Sequence, residues 1–494
     1  MNSFINAINI TTTENGATAY KNTSNAILDF FYHGATLRND TNKALELFKK
    51  AFNEDTTTAL RILFYIRDIR GGQGERDVFR KCIYWLAKEY PEWVLNNYKL
   101  IPEYGRWDDL ITLVDTSILI YKDIANILRE QLLEDLHSVY INKSVSLLAK
   151  WMPSENASSL QTKNKAKLLI KLMSITPQQY RKCLTLLRHE ISIVENNLRT
   201  KEYSTIEYDK LPSRALMKYR KAFYRNDEVR FIEAMNKATT SEAKVNSRTL
   251  YPYEIIKNYG FNFWSNQCYY PSNYKCNEVN PMLEAAWKNL PDYVDNINGL
   301  VVADTSGSMQ GMPINVSVSL ALYISERNKN EAFKDYFITF SNKPTLQKIE
   351  GSTLRERMNS MESINISNTD LQKVFDLVLD RAVEYKVSKE DMPKTLIIIS
   401  DMQFDMACKS NKRTNLEQIR KRYNEEGYNM PTLVFWNVSS VYYNNVPATI
   451  NDDGVILLSG CNPTVMQYAI NGVFNPMSMI YNITNSDRYK NITF

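Results

Sequence analysis

Histidine is almost missing from this chain: His33, His137 and His189 are its three copies among 494 residues, and all fall in the first half. Chemistry that needs an imidazole base therefore has no donor in the second half. The six cysteines (Cys82, Cys183, Cys268, Cys276, Cys408, Cys461) are scattered and form no CxxC pair, which argues against a zinc site and fits a reducing compartment. No stretch approaches the roughly 18 consecutive apolar residues of a membrane span. The opening MNSFINAINITTTENGATAY has no basic segment followed by an apolar one, so no secretory leader is expected and the chain reads as cytoplasmic. A G-x-x-x-x-G-K-[ST] phosphate loop is also lacking, which removes that nucleotide-binding class.

What is present divides the chain. From Thr23 to about Arg230, apolar residues recur at three- and four-residue spacing, as in NKALELFKKAF and ERDVFRKCIYWLAKEY, the mark of amphipathic helices. Successive helical hairpins stacked in an irregular, HEAT-like repeat are the economical expectation over residues 1–250. An aromatic- and Asn-rich connector follows over 251–296. From 297 to 494 the period changes: GLVVAD, DYFITFS, TLIIISD, TLVFWNV and GVILLSG suit strands buried on both faces. Helical stretches separate most of them, which predicts a Rossmann-like, doubly wound α/β domain. The fold class expected is thus multidomain, α followed by α/β.

The net charge of +5 is uneven. Residues 143–230 hold eighteen Lys or Arg against eight Asp or Glu, the electrostatic footprint of a polyanion site. Within it, Arg214, Lys218, Lys221 and Arg225 follow helical spacing and predict one basic stripe, with Tyr219 and Tyr224 at its border placed to stack on unpaired bases. These six are the candidate RNA contacts, for a structured RNA or one with single-stranded ends. Earlier in the chain, Arg70-Gly71-Gly72-Gln73-Gly74-Glu75-Arg76 reads either as a backbone anion cradle or as a tight helix–helix turn.

The stretch GLVVADTSGSMQG ends an apolar run in an aspartate, hydroxyls and glycines. A serine hydrolase elbow needs G-x-S-x-G, but in Gly307-Ser308-Met309-Gln310-Gly311 the serine stands one place early, with no histidine nearby. A magnesium-dependent phosphatase of the aspartyl-phosphate type is the better enzymatic alternative. Asp401-Met402-Gln403-Phe404-Asp405 would suit its metal loop, yet Ser306 stands where the second carboxylate should follow Asp304. A third arrangement uses more residues: Asp304, Ser306 and Ser308 in one loop, Thr369 before a helix, and Asp401 ending a later strand. Two carboxylates and three hydroxyls are hard oxygen donors suited to Mg²⁺, or to another divalent cation such as Mn²⁺.

That D-x-S-x-S loop with its Thr and Asp resembles the metal-ion-dependent adhesion site of von Willebrand factor A domains. The resemblance implies that the serines and threonine approach the metal, that the aspartates bind it largely through water, and that an Asp or Glu of a protein partner completes the shell. IRDIRGGQGERDVFRKCIYWLA, IPEYGRWDDL, KWMPSENASS, SDMQFD and VFWNV resemble an uncharacterised family of plants, bacteria, large DNA viruses and phages. More distantly, the domain order is similar to the Ro (TROVE) ribonucleoproteins. These resemblances imply a non-catalytic RNA-binding protein in the cytoplasm, of a host cell if viral, with no membrane partner. The alternatives are a metal-dependent interaction or scaffold module, phage- or virion-associated, and the phosphatase.

Overall fold

The computed structural model describes residues 8–494 apart from 192, 241–246, 248, 260, 263–266, 269–278, 295–297, 341–343, 362–369, 406–414, 440–444 and 469–474. Among these residues the first half is helical beyond a short hairpin, β1 (Ile10–Thr12) with β2 (Thr18–Tyr20). The longer helices are α1 (Ala26–Gly34), α2 (Thr41–Glu54), α3 (Thr56–Arg67), α4 (Asp77–Glu89), α5 (Tyr121–Tyr140), α6 (Leu160–Leu172), α7 (Pro177–Glu190), α8 (Ser213–Asn226) and α9 (Glu228–Thr239). Their starts follow from local chemistry. Asp40 and Asp55 accept hydrogen bonds from the Lys43 and Thr58 amides and so cap α2 and α3, and Thr176 with Gln179 closes a capping box on α7 ahead of Pro177. Neighbouring helices pack on one another, α2 on α1, α3 and α4, and α5 on α6 and α7. Each buries the apolar stripe its sequence carries.

The second half holds a six-stranded sheet: β3 (Gly299–Ala303), β4 (Tyr336–Thr339), β5 (Leu346–Lys348), β6 (Thr395–Ser400), β7 (Thr432–Asn437) and β8 (Val455–Ser459). Their order is β8-β7-β6-β3-β4-β5, parallel except for the antiparallel edge strand β5. This is the doubly wound order, in which the chain leaves in opposite directions from adjacent strands β3 and β6. The crevice beyond the carboxyl ends of those two strands is where such sheets place ligands. Helices α10 (Met312–Arg327), α11 (Leu371–Glu384) and α12 (Asn415–Glu425) connect the strands. α10 is buried nearly all round, lying between the sheet and a short helix, Pro252–Asn258. The stretch expected as a helix at 462–473 starts as a 3-10 turn, Pro463–Tyr468, and its remainder lies outside the described residues.

The two halves exchange their ends. The loop of the β1–β2 hairpin runs against the segment after β6: Thr13 Oγ1 donates to the Phe404 carbonyl at 2.6 Å, and Asn15 Nδ2 to the Gln403 carbonyl at 2.7 Å. In return the helix Ser478–Thr484 packs on α3. Beyond it Arg488 donates twice to Asp68, and Trp93 Nε1 donates to the Thr493 carbonyl at 2.9 Å. Between these straps, Gln73 sits under Gly460, a glycine at φ +100° whose Cβ would lie 2.1 Å from the Gln73 Oε1. Of the two readings of the Gly-rich segment before α4, the turn is what forms. Gly74 takes φ +66° against the Tyr251 hydroxyl, which donates to the Gln73 carbonyl at 2.9 Å.

Candidate functional site

Asp304 directly follows strand β3 and Asp401 directly follows its neighbour β6, and the register, with Ala303 opposite Ile399, brings the two carboxylates near each other at the switch point. Both are buried. Asp304 Oδ1 accepts the Ser306 amide at 2.9 Å and Oδ2 accepts the Ser400 hydroxyl. Asp401 Oδ1 accepts the Gln403 amide at 3.2 Å, and the nearby Ser308 hydroxyl favours the ionised form of this carboxylate. Ser306 and Ser308 lie with their hydroxyl oxygens 3.1 Å apart. Met402, directly after Asp401, takes φ +66°, a conformation non-glycine residues adopt only where the surroundings enforce it. Here the Met402 amide donates to Ser400 Oγ at 3.0 Å, and the strap of residues 13–15 holds the next turn.

The electrostatics favour a cation. Burial pushes the pKa of both carboxyls upward, and for Asp304 the neighbouring Asp401 adds to it. Two buried oxygens, Asp401 Oδ2 and Thr305 Oγ1, have no hydrogen-bond partner among the described residues. Buried oxygens left unpaired cost about 1–3 kcal/mol each, and a hard divalent cation answers both the charge and the lone pairs. No set of three or more His, Cys, Asp or Glu side chains converges anywhere among the described residues. A metal here would rest on two carboxylates, with hydroxyl oxygens and water for the remainder.

Of the five residues proposed for the metal, Asp304, Ser306, Ser308 and Asp401 come together, while Thr369 lies outside the described residues; Asp370, next to it, caps α11 through the Lys373 amide. Sequence reasoning missed Thr305, Ser400 and Gln403, and also Glu14, whose charge acts on Asp401 from the N-terminal strap. Ser400 adjoins Asp401 in the chain, but nothing in the sequence says that its hydroxyl turns to Asp304. Glu14 is brought in by a hairpin nearly 400 residues away, which no local pattern reports.

The basic stripe on α8 is mostly engaged. Arg214 donates to the Thr249 carbonyl at 2.9 Å and pairs with Glu254 at 3.2 Å. Tyr219 donates to Glu195 at 2.7 Å, with Lys218 Nζ 3.9 Å from the same carboxylate. Tyr224 meets Asn280 and packs edge-on against Phe231. Lys221 and Arg225 stand exposed, with no ion pair among the described residues.

The comparisons place the chain in a family. It belongs to the family described as Domain of unknown function (DUF2828), whose model matches residues 13–119 and 155–298, about half of the chain. A second model, Domain of unknown function (DUF7788), matches residues 298–486, the sheet half. Among relatives, "Uncharacterized protein L728" of Acanthamoeba polyphaga mimivirus is 30% identical over 518 aligned positions, covering 96% of this chain and 87% of that protein. These matches correct the resemblance drawn from the motifs. Neither matching model is a Ro (TROVE) or von Willebrand A family, so membership of those families is withdrawn. The physical reason is that D-x-S-x-S is short, and alternating strands and helices with an aspartate at a strand end occur across many doubly wound folds.

Proposed function

We propose that this chain is a divalent-cation-dependent binding protein, in which Asp304 and Asp401 hold Mg²⁺ or Mn²⁺, aided by Ser306, Ser308 and Thr369, and an acidic group of a partner protein completes the coordination. The observation that carries the reading is the pair of buried neighbouring carboxylates with an unpaired Asp401 oxygen. A hydroxyl-rich shell leaves the cation electron-poor, which favours an incoming carboxylate over a reaction with one. The helical half is read as an irregular stack of helical hairpins that carries the partner-facing surface. The free thiols of Cys82, Cys183 and Cys461 are in keeping with a cytoplasmic location.

The test is capture of a partner that EDTA reverses and Asp304→Ala abolishes, run beside an assay of a generic phosphate ester. Turnover that Asp304→Asn stops would contradict the non-catalytic reading and favour the phosphatase. A second reading, RNA binding, draws on the exposed Lys221 and Arg225 of α8. It predicts affinity that falls steeply with salt and with Lys221→Glu plus Arg225→Glu; salt-independent or absent binding would overturn it.

A further inference from the structure

Away from the sheet, a cavity of about 600 Å³ opens between α4, α8 and the short helices Trp107–Ile111 and Leu148–Trp151. Its wall carries seven cationic side chains and three carboxylates. The carboxylates are committed: Glu75 to Arg38 at 3.3 Å, Asp77 to Arg76 at 3.0 Å, and Glu195 to the Tyr219 hydroxyl and Lys218, with Lys150 also acting on Glu195 from beyond ion-pair distance. Arg67, buried in the floor, is neutralised by Asp109 at 2.7 Å, and Arg214 by Glu254 outside the wall. Arg106 and Lys150 are left with no carboxylate in ion-pair reach among the described residues. Both lie against the ring of Trp151, at 4.8 Å and 6.0 Å from its centre, and a ring face offsets only a small part of a cation's charge. The Arg106 guanidinium is also crowded by its own kind. Its pKa is lowered, first by burial and then by Arg67, with Asp108 opposing, Arg214 adding to the effect and Asp109 opposing it.

From this arrangement we infer that the cavity binds a compact polyphosphate, free or carried by a nucleoside, with Arg106 and Lys150 as its principal contacts. The volume is that of a small-ligand site. Guanidinium groups converging from different elements match phosphate oxygens better than a lone carboxylate, because each fork can donate two parallel hydrogen bonds. A multiply charged anion also answers the charge of Arg106 and Lys150, which no carboxylate pairs among the described residues. The site is separate from the carboxylate pair on the sheet and needs no metal there.

The experiment is isothermal titration of the full chain, in EDTA and low salt, with tripolyphosphate, ATP and a single-stranded oligonucleotide. Saturable binding of tripolyphosphate or ATP is expected, weakened about tenfold by Arg106→Gln and by Lys150→Gln. Lys237→Gln, exposed on α9 and outside the cavity wall, should leave it unchanged. Equal affinity for the two small ligands shows that phosphate alone is read; tighter ATP shows that the nucleoside adds contacts. Should Arg106→Gln unfold the chain, the exposed Lys150 still decides the matter. Absence of saturable binding overturns the inference, as does binding indifferent to Lys150→Gln, or capture of the oligonucleotide alone with no competition from tripolyphosphate.

Discussion

Removing the carboxylate of Asp68 should loosen the C-terminal segment from the helices and cost about 4 kcal/mol. Asp68 follows α3 and is completely buried. It accepts two hydrogen bonds from the Arg488 guanidinium, one from the Tyr489 hydroxyl at 2.8 Å, and one from the Arg70 amide at 2.9 Å. Asp68→Ala strands all of these donors. Breaking a buried ion pair costs about 3–5 kcal/mol, and an orphaned buried hydroxyl costs about 1–3 kcal/mol. Because the Arg488 side chain keeps 32% of its exposure, water takes back part of its loss and the sum falls near the lower end. Urea unfolding of the wild type, Asp68→Ala, Arg488→Ala and the double variant gives the coupling directly, expected at about 2 kcal/mol. Additivity within about 0.5 kcal/mol would refute the claim that this pair ties the two halves together.

Two further outcomes follow from other buried positions. His33 is enclosed, and burial, with Lys43 adding to it, lowers its pKa to about 4. Between that value and its ordinary 6.5 the unfolded chain binds the extra proton, so stability is lost as pH falls. Relative to His33→Gln, the wild type should lose about 2 kcal/mol between pH 7 and pH 5, read from urea midpoints; an equal pH response in both proteins contradicts it. Gly460→Ala forces a side chain onto φ +100° and into Gln73, which should cost about 2 kcal/mol. A thermal melt should show part of this recovered by adding Gln73→Ala, and a neutral Gly460→Ala would show that the turn relaxes freely.

The parts legible in the sequence were those written in local periodicity. TLIIISD and GLVVAD announced buried strands because both faces of β6 and β3 are covered, and each run ended in the aspartate that the sheet then brings to its neighbour. Edge strand β5 gave no signal, since its Leu-Gln-Lys is largely exposed and carries no apolar run. Helical spacing likewise placed Arg214, Lys218, Lys221 and Arg225 on one face of α8. It could not show that Glu254 and Glu195 would arrive from elsewhere to engage the first two. The cationic cavity was hidden for the same reason, because Arg106, Lys150 and Arg214 meet only through packing between helices. Nor does any pattern predict that residues 13–16 fasten the loop after β6, or that Arg488 reaches back to Asp68. The D-x-S-x-S motif did locate a carboxylate pair, although the family it suggested is not the one to which the chain belongs.

The most direct test of the account is Mn²⁺ titration of the full chain, followed by electron paramagnetic resonance as loss of the free-ion signal. The account predicts one saturable site, displaced by Mg²⁺ and lost in both Asp304→Asn and Asp401→Asn, each variant remaining folded by circular dichroism. A chain that takes up no Mn²⁺, or whose site survives both substitutions, would contradict it.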